Sequence, residues 1–293
     1  MNIACIPAYN EELKIKDVVK RALPYVDKVI VCDDGSTDNT KTVAKKAGAI
    51  VISHVKNLGY GAAISTLFDY SRKNNAEIMV TLDGDGQHNP DQIPDLTNVI
   101  LKHNVDVVIG SRSLKDDKDL PGYRKTGIKI ITATINSATN LKVTDSQSGF
   151  RAYSKKAIDL IHPSESGMSV STEILLKISN NGLSIAEVPI TVSYSGDTST
   201  EHPVTHGSHV IGSTLKYVSI KHPMYFYGLP GGLLFIFGLI MGVSFLDGYL
   251  DPHSPKVLYG LMLGSIISIL LGSMMIITSI LLFSMANLIR GTR

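Results

Sequence analysis

Two long stretches without a charged side chain, Met224–Leu246 and Val257–Ile289, constrain this chain more than any other feature. At a helical rise of 1.5 Å per residue, roughly 20 residues cross the hydrocarbon core of a bilayer. Both runs are long enough, and the second overshoots, which tilt or protrusion accommodates. Burying two such runs inside a soluble core is difficult in a chain of 293 residues. They also account for a charged fraction of 18%, against about 25% in a typical soluble domain. Between them, Asp247–Lys256 carries Asp247, Asp251, Pro252 and Pro255 and reads as an exposed hairpin turn. Lys216 and Lys221 precede the first run, Arg290 and Arg293 follow the second, and the turn has one Lys. The positive-inside rule therefore places both ends in the cytoplasm of a two-pass membrane protein. Pro7 interrupts the short apolar start, so no secretory leader is expected and the N-terminal part stays in the cytoplasm.

Small residues recur at four-residue spacing, as Gly238 and Gly242 and as Gly260, Gly264, Ser268 and Gly272. Such faces allow close helix contact in lipid. Here they serve packing between the two spans or between subunits of a homo-oligomer, or they reflect ordinary membrane-helix glycine content. Val210, Ile211, Leu215 and Val218 have helical spacing beside Lys216 and Lys221, which suggests a helix lying in the membrane interface. The expected organisation is a soluble domain over 1–206, an interfacial helix over 207–222 and a transmembrane hairpin over 223–293.

The soluble part alternates apolar strands with amphipathic helices. Strands are expected at Asn2–Pro7, Lys28–Cys32, Ala49–Ser53, Glu77–Leu82 and Asp106–Ile109. Helices are expected at Glu12–Leu23, 38–47, Gly61–Lys73 and Pro90–His103. This rhythm predicts an α/β fold with a mostly parallel sheet. Beyond Arg112 it breaks, with a helix expected over Arg124–Asn140 and strands over Gly149–Tyr153 and Ile185–Val192. Ligands of such sheets bind outside the carboxyl ends of the strands, where this chain places its polar residues. Tyr9, Asn10 and Glu11 follow the first strand, Asp33 and Asp34 the second, Asp83, Asp85 and Gln87 the fourth, and Ser111 and Arg112 the fifth.

A net charge of +2 without a basic stripe argues against nucleic acid as a partner. Cys5 and Cys32 both sit in apolar runs and read as buried small side chains rather than a disulfide or a metal pair.

The sharpest local signal is Leu82-Asp83-Gly84-Asp85-Gly86-Gln87-His88. Two carboxylates two residues apart at a strand end can share a divalent cation and the diphosphate it bridges, and hard oxygen ligands suit Mg²⁺ or Mn²⁺. An exposed Asp-Gly turn looks the same. An EF-hand is disfavoured by the lack of a Glu at the twelfth loop position. Asp33-Asp34-Gly35-Ser36 can bind a ribose or base edge, or simply turn and cap the next helix. Gly59 and Gly61 do not complete a dinucleotide fingerprint, because they follow the third strand and lack a third glycine.

Taken in order, Ile6-Pro7-Ala8-Tyr9-Asn10-Glu11, Asp33-Asp34-Gly35-Ser36, Asn57-Leu58-Gly59-Tyr60-Gly61-Ala62 and Asp83-Gly84-Asp85-Gly86-Gln87-His88 resemble family 2 glycosyltransferases of the GT-A fold. Gly110-Ser111-Arg112, Ser148-Gly149-Phe150-Arg151 and Glu187-Val188-Pro189-Ile190 resemble the branch of dolichyl-phosphate mannose synthases and polyprenyl-phosphate hexosyltransferases. The resemblance covers roughly residues 2–192. It implies a Rossmann-like GT-A domain that moves a monosaccharide from a nucleotide sugar to a polyprenyl or dolichyl phosphate, with inversion and with Mg²⁺ or Mn²⁺. Pro7, Tyr9, Glu11 and Asp33 would line the nucleotide pocket together with Gly84. Asp83 and Asp85 would be the acidic pair, with Asp83, Asp85 and Gln87 as metal ligands. Arg112 and Arg124 would meet the acceptor phosphate, which suits a planar guanidinium fork; a surface ion pair and a helix-start charge are their alternatives. Asp145 is the candidate for a base or positioning group, or else a turn residue.

After Glu187-Val188-Pro189-Ile190 the mannosyl branch usually continues with an Arg and a Gly-Glu-Ser-Lys stretch. This chain instead runs Thr191-Val192-Ser193-Tyr194-Ser195-Gly196 and on to His202, His206 and His209. That departure resembles archaeal relatives using UDP-sugars, with UDP-N-acetylglucosamine as the leading donor and GDP-mannose as the alternative. The histidine loop reads as a lid or, less well, a zinc site. Two rivals stand beside this reading: a processive polysaccharide synthase, which needs more spans and a Trp-containing acceptor motif, and a non-catalytic membrane protein with a degenerate transferase domain.

Overall fold

The structure, a computed structural model, describes residues 1–114, 129, 131–133, 135–137, 139, 141–193, 219, 223–250 and 258–291. The chain divides into two compact units, Met1–Thr214 and Leu215–Arg293. In the first, strands β1 (Asn2–Ala8), β2 (Lys28–Asp33), β3 (Ile50–Ser53), β4 (Ile78–Thr81), β5 (Val107–Ser111), β6 (Arg151–Ser154) and β7 (Ile185–Pro189) form one sheet. Its order is β3-β2-β1-β4-β6-β5-β7. All pairings are parallel except those of β6, which runs antiparallel between β4 and β5.

Parallel neighbours need crossover connections. Helices α1 (Ile15–Ala22), α2 (Thr40–Lys46), α3 (Tyr60–Lys73) and α4 (Ile93–His103) supply them, and α5 (Lys155–Leu160) and α6 (Val170–Asn180) lead to β7. Side chains alternate across a strand. Ile3, Cys5, Ile30, Cys32, Met79, Val107 and Ile109 therefore face α3, α5 and α6, while Ala4, Ile6, Val29, Val31, Ile78, Val80 and Val108 face α1, α2 and α4. Burial on both faces explains why these strands read as continuous apolar runs. Cys5 and Cys32 lie free inside this core, and burial first of all pushes both thiols up to about 12.

Most expected elements are present with shifted ends. Helix α1 starts at Ile15 rather than Glu12, after a turn in which Lys14 N–H (3.0 Å) and Ile15 N–H (2.9 Å) both donate to the Glu11 carbonyl, while Thr40 Oγ1 and Asp38 Oδ2 accept from the N–H groups of Glu11 (2.7 Å) and Glu12 (3.1 Å). Strand β6 starts at Arg151 rather than Gly149. Strand β7 ends at Pro189, which offers no N–H, and Val192 keeps only an isolated bridge to His88. Helices α5 and α6 were not anticipated from the sequence.

The second unit contains a π-helical turn (Met224–Gly228) running into α7 (Leu229–Leu250), and α8 (Leu258–Gly291). The candidate spans are Met224–Leu250 and Tyr259–Met285, each of 27 residues, strongly apolar and largely exposed. A soluble core helix of that composition would be mostly buried, so these two fit a transmembrane hairpin. Asp247 lies within α7, not in the turn, because the helix continues to Leu250. The small residues meet across the hairpin: a Cβ on Gly238 would lie 2.8 Å from Ile269 Cγ1, one on Gly242 2.8 Å from Ser265 Oγ, and one on Gly272 2.7 Å from Phe235 N. Ser265 Oγ donates to the Gly238 carbonyl at 2.8 Å. Gly260 faces open space and takes no part. The expected interfacial helix, apart from Ser219, and the histidine loop lie outside the described residues.

Candidate active site

The strand order reverses between β1 and β4, since the chain builds outward to β3 and then returns to the other side of β1. Such a switch point opens a crevice at the carboxyl ends of the two strands. Glu11 follows β1 there, and Asp83 and Asp85 follow β4. The loops after β1 and β2 are laced together. Asn10, at φ 56°, accepts from Thr37 N–H at 2.9 Å and donates its own N–H to Ser36 Oγ at 3.0 Å. Asparagine tolerates that left-handed conformation better than most residues.

The tandem aspartates after β2 divide their work. Asp34 is consumed by structure: it accepts from Leu58 N–H (2.9 Å) and Gly59 N–H (2.8 Å) and lies 2.6 Å from His54 Nδ1. Asp33 is buried and holds the turn through Ser36 N–H at 3.1 Å. Gly59 and Gly61 have a packing explanation. The carbonyls of Ser166 and Glu165 lie where their Cβ atoms would stand, and Ser166 O accepts from Gly61 N–H at 2.8 Å.

At the end of β4 the acidic groups crowd together. Tyr60 donates to Asp83 Oδ1 at 3.2 Å, and Asp85 Oδ1 accepts from Gln87 N–H at 2.9 Å. Burial raises Asp83 above the ordinary carboxylate range, against the opposing Tyr60 hydrogen bond and the charges of Arg112 and Arg151. Burial and then the charge of Asp83 raise Asp85. Glu11 is pushed up to about 7, by burial and then by Asp85, Asp38 and Asp83. His88 is pulled down to about 4 by burial. It is therefore neutral at pH 7, and its Nδ1 accepts from Asp83 N–H at 3.3 Å; the 3.4 Å approach of that nitrogen to Asp83 Oδ2 is not an ion pair.

Because the Glu11 carboxyl titrates higher when folded than its ordinary value of 4.5, its contribution to stability is full below 4.5 and is lost as pH rises through about 7. Glu11→Gln removes that titration. From about pH 5 to pH 8 the wild type should lose about 1 kcal/mol relative to the variant, after allowing for solvent screening of a half-buried group. Paired melting curves whose separation stays constant with pH would contradict this.

Among the described residues no three His, Cys, Asp or Glu side chains converge as a complete metal cage. The donor chemistry nevertheless fits Mg²⁺ or Mn²⁺: the groups are hard oxygens, crowded enough to repel one another. These ions commonly take one or two carboxylates and complete their shell with phosphate oxygens and water.

The end of β5 carries a second constellation. Arg112 clasps the fully buried Asp145, with Nε 2.7 Å from Oδ2 and Nη2 2.9 Å from Oδ1, and its backbone N–H adds a 3.2 Å bond. Burial pushes Asp145 up, but the hydrogen bonds and charge of Arg112 outweigh it and hold the carboxyl below its usual range. A carboxylate so held is a poor proton acceptor, and its Oδ1 also accepts from Gln147 N–H at 3.2 Å, so the turn role expected as its alternative is present beside the clasp. The ion pair expected of Arg112 as the alternative to a ligand contact was a surface one; the pair that the structure has is with a fully buried carboxylate. Pro7 is buried, a Cβ on Gly84 would approach its carbonyl to 3.2 Å, and Tyr9 is half-buried. Arg124 lies outside the described residues.

Sequence reasoning missed Tyr60, which touches Asp83, although its place between two glycines marked it. It also gave no role to Gly149, where a Cβ would stand 2.9 and 3.0 Å from the Asp83 oxygens and 3.0 Å from the Tyr60 hydroxyl. Arg151 was missed as well: buried in β6, it donates to the Ser146 carbonyl at 2.8 Å.

Residues 3–161 match the family described as Glycosyl transferase family 2. A UDP-N-acetylglucosamine–dolichyl-phosphate N-acetylglucosaminyltransferase of Methanococcus voltae is 35% identical over 238 residues, covering 72% of this chain and 92% of that one. A polyprenol monophosphomannose synthase of Mycolicibacterium smegmatis is 29% identical over 203 residues, covering 64% and 76%. Among solved structures, glucosyl-3-phosphoglycerate synthase of Mycobacterium tuberculosis in complex with Mn²⁺, UDP-glucose and phosphoglyceric acid superposes with a TM-score of 0.61 at 23% identity, covering 74% and 79%. At that identity the likeness is one of fold.

Proposed function

The chain belongs to glycosyl transferase family 2, and from that premise we propose that it transfers one monosaccharide from a nucleoside-diphosphate sugar to a polyprenyl or dolichyl phosphate. The observation that carries this reading is the crowded Glu11, Asp83 and Asp85 group at the switch point, with the Arg112–Asp145 clasp at the end of β5. The apolar hairpin supports a lipid acceptor, because a polyprenyl chain stays in the bilayer and its enzyme must work beside it. In this reading the helices Met224–Leu250 and Tyr259–Met285 span the membrane, with both ends cytoplasmic.

Pro7, Tyr9, Glu11 and Asp33 hold the nucleotide, with Gly84 allowing the close approach. Asp83, Asp85 and Gln87 would hold Mg²⁺ or Mn²⁺, which supplies charge neutralisation for the departing diphosphate. Arg112, with Arg124, grips the acceptor phosphate. A phosphate monoester loses its second proton near pH 6, about the value for phosphorylated side chains. The acceptor is thus already nucleophilic at neutral pH and needs no strong base, which agrees with Asp145 acting as an anchor. A phosphate oxygen attacks the anomeric carbon in line, the bond from that carbon to the diphosphate oxygen breaks, and the electron pair leaves with the nucleoside diphosphate. One displacement inverts the configuration.

Gly149→Ala probes the site without removing a functional group. Its methyl would press on both Asp83 oxygens and on Tyr60, so transfer should fall about 100-fold, as misplacement of a catalytic group by about 1 Å does. Transfer rates within twofold of wild type, in protein of unchanged melting temperature, would remove Asp83 from the site.

For the donor we favour UDP-N-acetylglucosamine, supported by the Methanococcus voltae relative. The protein, extracted in detergent, is incubated with labelled UDP- and GDP-sugars, Mn²⁺ and dolichyl phosphate. We expect one lipid-phosphate monosaccharide, made from UDP-N-acetylglucosamine. Polymer would indicate a synthase, a product from GDP-mannose alone would correct the donor, and no donor binding would indicate a non-catalytic protein.

A further inference from the structure

We infer that Glu187, on the edge strand β7, is a positioning residue that sets Arg112 for the acceptor phosphate through the 144–145 loop. The inference rests on the reading of Arg112 given above. Arg112 has a long, flexible stem, and its orientation is fixed by the two-point clasp of Asp145. Asp145 itself belongs to no strand or helix, so something else must fix its backbone. Glu187 does so: Oε1 and Oε2 accept from Thr144 N–H at 2.9 and 2.8 Å, and Oε1 also accepts from Asp145 N–H at 3.1 Å. Hydrogen bonds to an ionised carboxylate are among the stronger ones in proteins. The register pairs Glu187 with Ile109, three residues before Arg112 on the neighbouring strand. Ser111 Oγ and Thr144 Oγ1, 2.7 Å apart, close the circuit. The route is therefore β7 carboxylate, loop backbone, Asp145 carboxylate, Arg112 guanidinium.

Asp106 provides the comparison. At the opposite end of the same strand pair its Oδ2 accepts from Ser184 N–H (2.8 Å) and Ser184 Oγ (2.9 Å), a similar carboxylate-to-loop tie remote from Arg112. Binding of farnesyl phosphate, with farnesol as the phosphate-free control, is measured by calorimetry on the full chain in detergent, so that no donor is needed. Arg112→Ala should weaken farnesyl phosphate about tenfold, the scale of a charge-assisted contact. Glu187→Gln should weaken it about threefold or more, without changing farnesol. The double variant should match Arg112→Ala alone, and Asp106→Asn should bind as wild type. If Arg112→Ala weakens binding and Glu187→Gln does not, or the two effects multiply, or Asp106→Asn matches Glu187→Gln, the route through Glu187 is overturned. If Arg112→Ala binds as wild type, the reading of Arg112 fails and takes the inference with it.

Discussion

Asp85→Ala should lower sugar transfer by about a thousandfold or more while leaving the protein folded. The expected size follows from the several kcal/mol that a bound cation contributes to stabilising a departing diphosphate, where about 1.4 kcal/mol is tenfold in rate. The expected sign on stability is unusual for a loss-of-function change. Asp85 is raised above its ordinary range by burial and by Asp83, so its charge opposes folding in the absence of a cation. Its removal relieves that repulsion and gives up the hydrogen bond from Gln87 N–H. The melting temperature without divalent ions should therefore equal or exceed that of wild type. Full transfer by the variant would end the role given to the acidic pair.

The second large effect concerns Asp145. It is fully buried, and both its oxygens are engaged by Arg112. Breaking a buried pair by removing one charge typically costs 3–5 kcal/mol, because the remaining charge stays desolvated. Arg112 keeps 17% of its side-chain surface, so we expect the lower end for Asp145→Asn, about 3 kcal/mol and roughly 10 °C in melting temperature. The pH dependence has a defined sign. The folded carboxyl lies below its ordinary range, so its stabilisation is present above that range and is lost as pH falls through the folded value. The melting curves of wild type and variant should converge on acidification. A variant melting within about 2 °C of wild type at neutral pH would contradict the clasp as described.

Much of this fold was legible because its sheet is covered on both faces, which writes β1, β2, β4 and β5 into the sequence as uninterrupted apolar runs ending in acids, amides or arginine. The apolar hairpin was legible for a related reason: two long runs without a charged side chain stand out in any sequence and fit a bilayer interior, where charge is costly. The antiparallel insertion of β6 was not legible: Arg151–Ser154 is short, and Arg151 is a buried charge that donates to the backbone carbonyls of Ser171 and Ser146, contacts invisible to pattern. Helices α5 and α6 escaped because their buried faces meet a core assembled from distant strands. Within the site, the acidic pair announced itself by spacing. Tyr60, Gly149 and Glu187 did not, since each acts across more than twenty residues of sequence on a group that only the fold brings near. The tandem Asp33-Asp34 shows the limit from the other side, as composition cannot tell that Asp34 ties down the distant 54–59 loop while Asp33 holds only its own turn.

The central claim is that Asp83 and Asp85 grip a cation together with the nucleotide's diphosphate. Electron paramagnetic resonance of Mn²⁺ titrated into the full chain, with and without UDP, measures this directly. The account predicts one tightly held ion that appears only with the nucleotide and is lost in both Asp83→Ala and Asp85→Ala. Undiminished binding in Asp85→Ala, or no bound ion in wild type saturated with UDP and its alternative GDP, would contradict it.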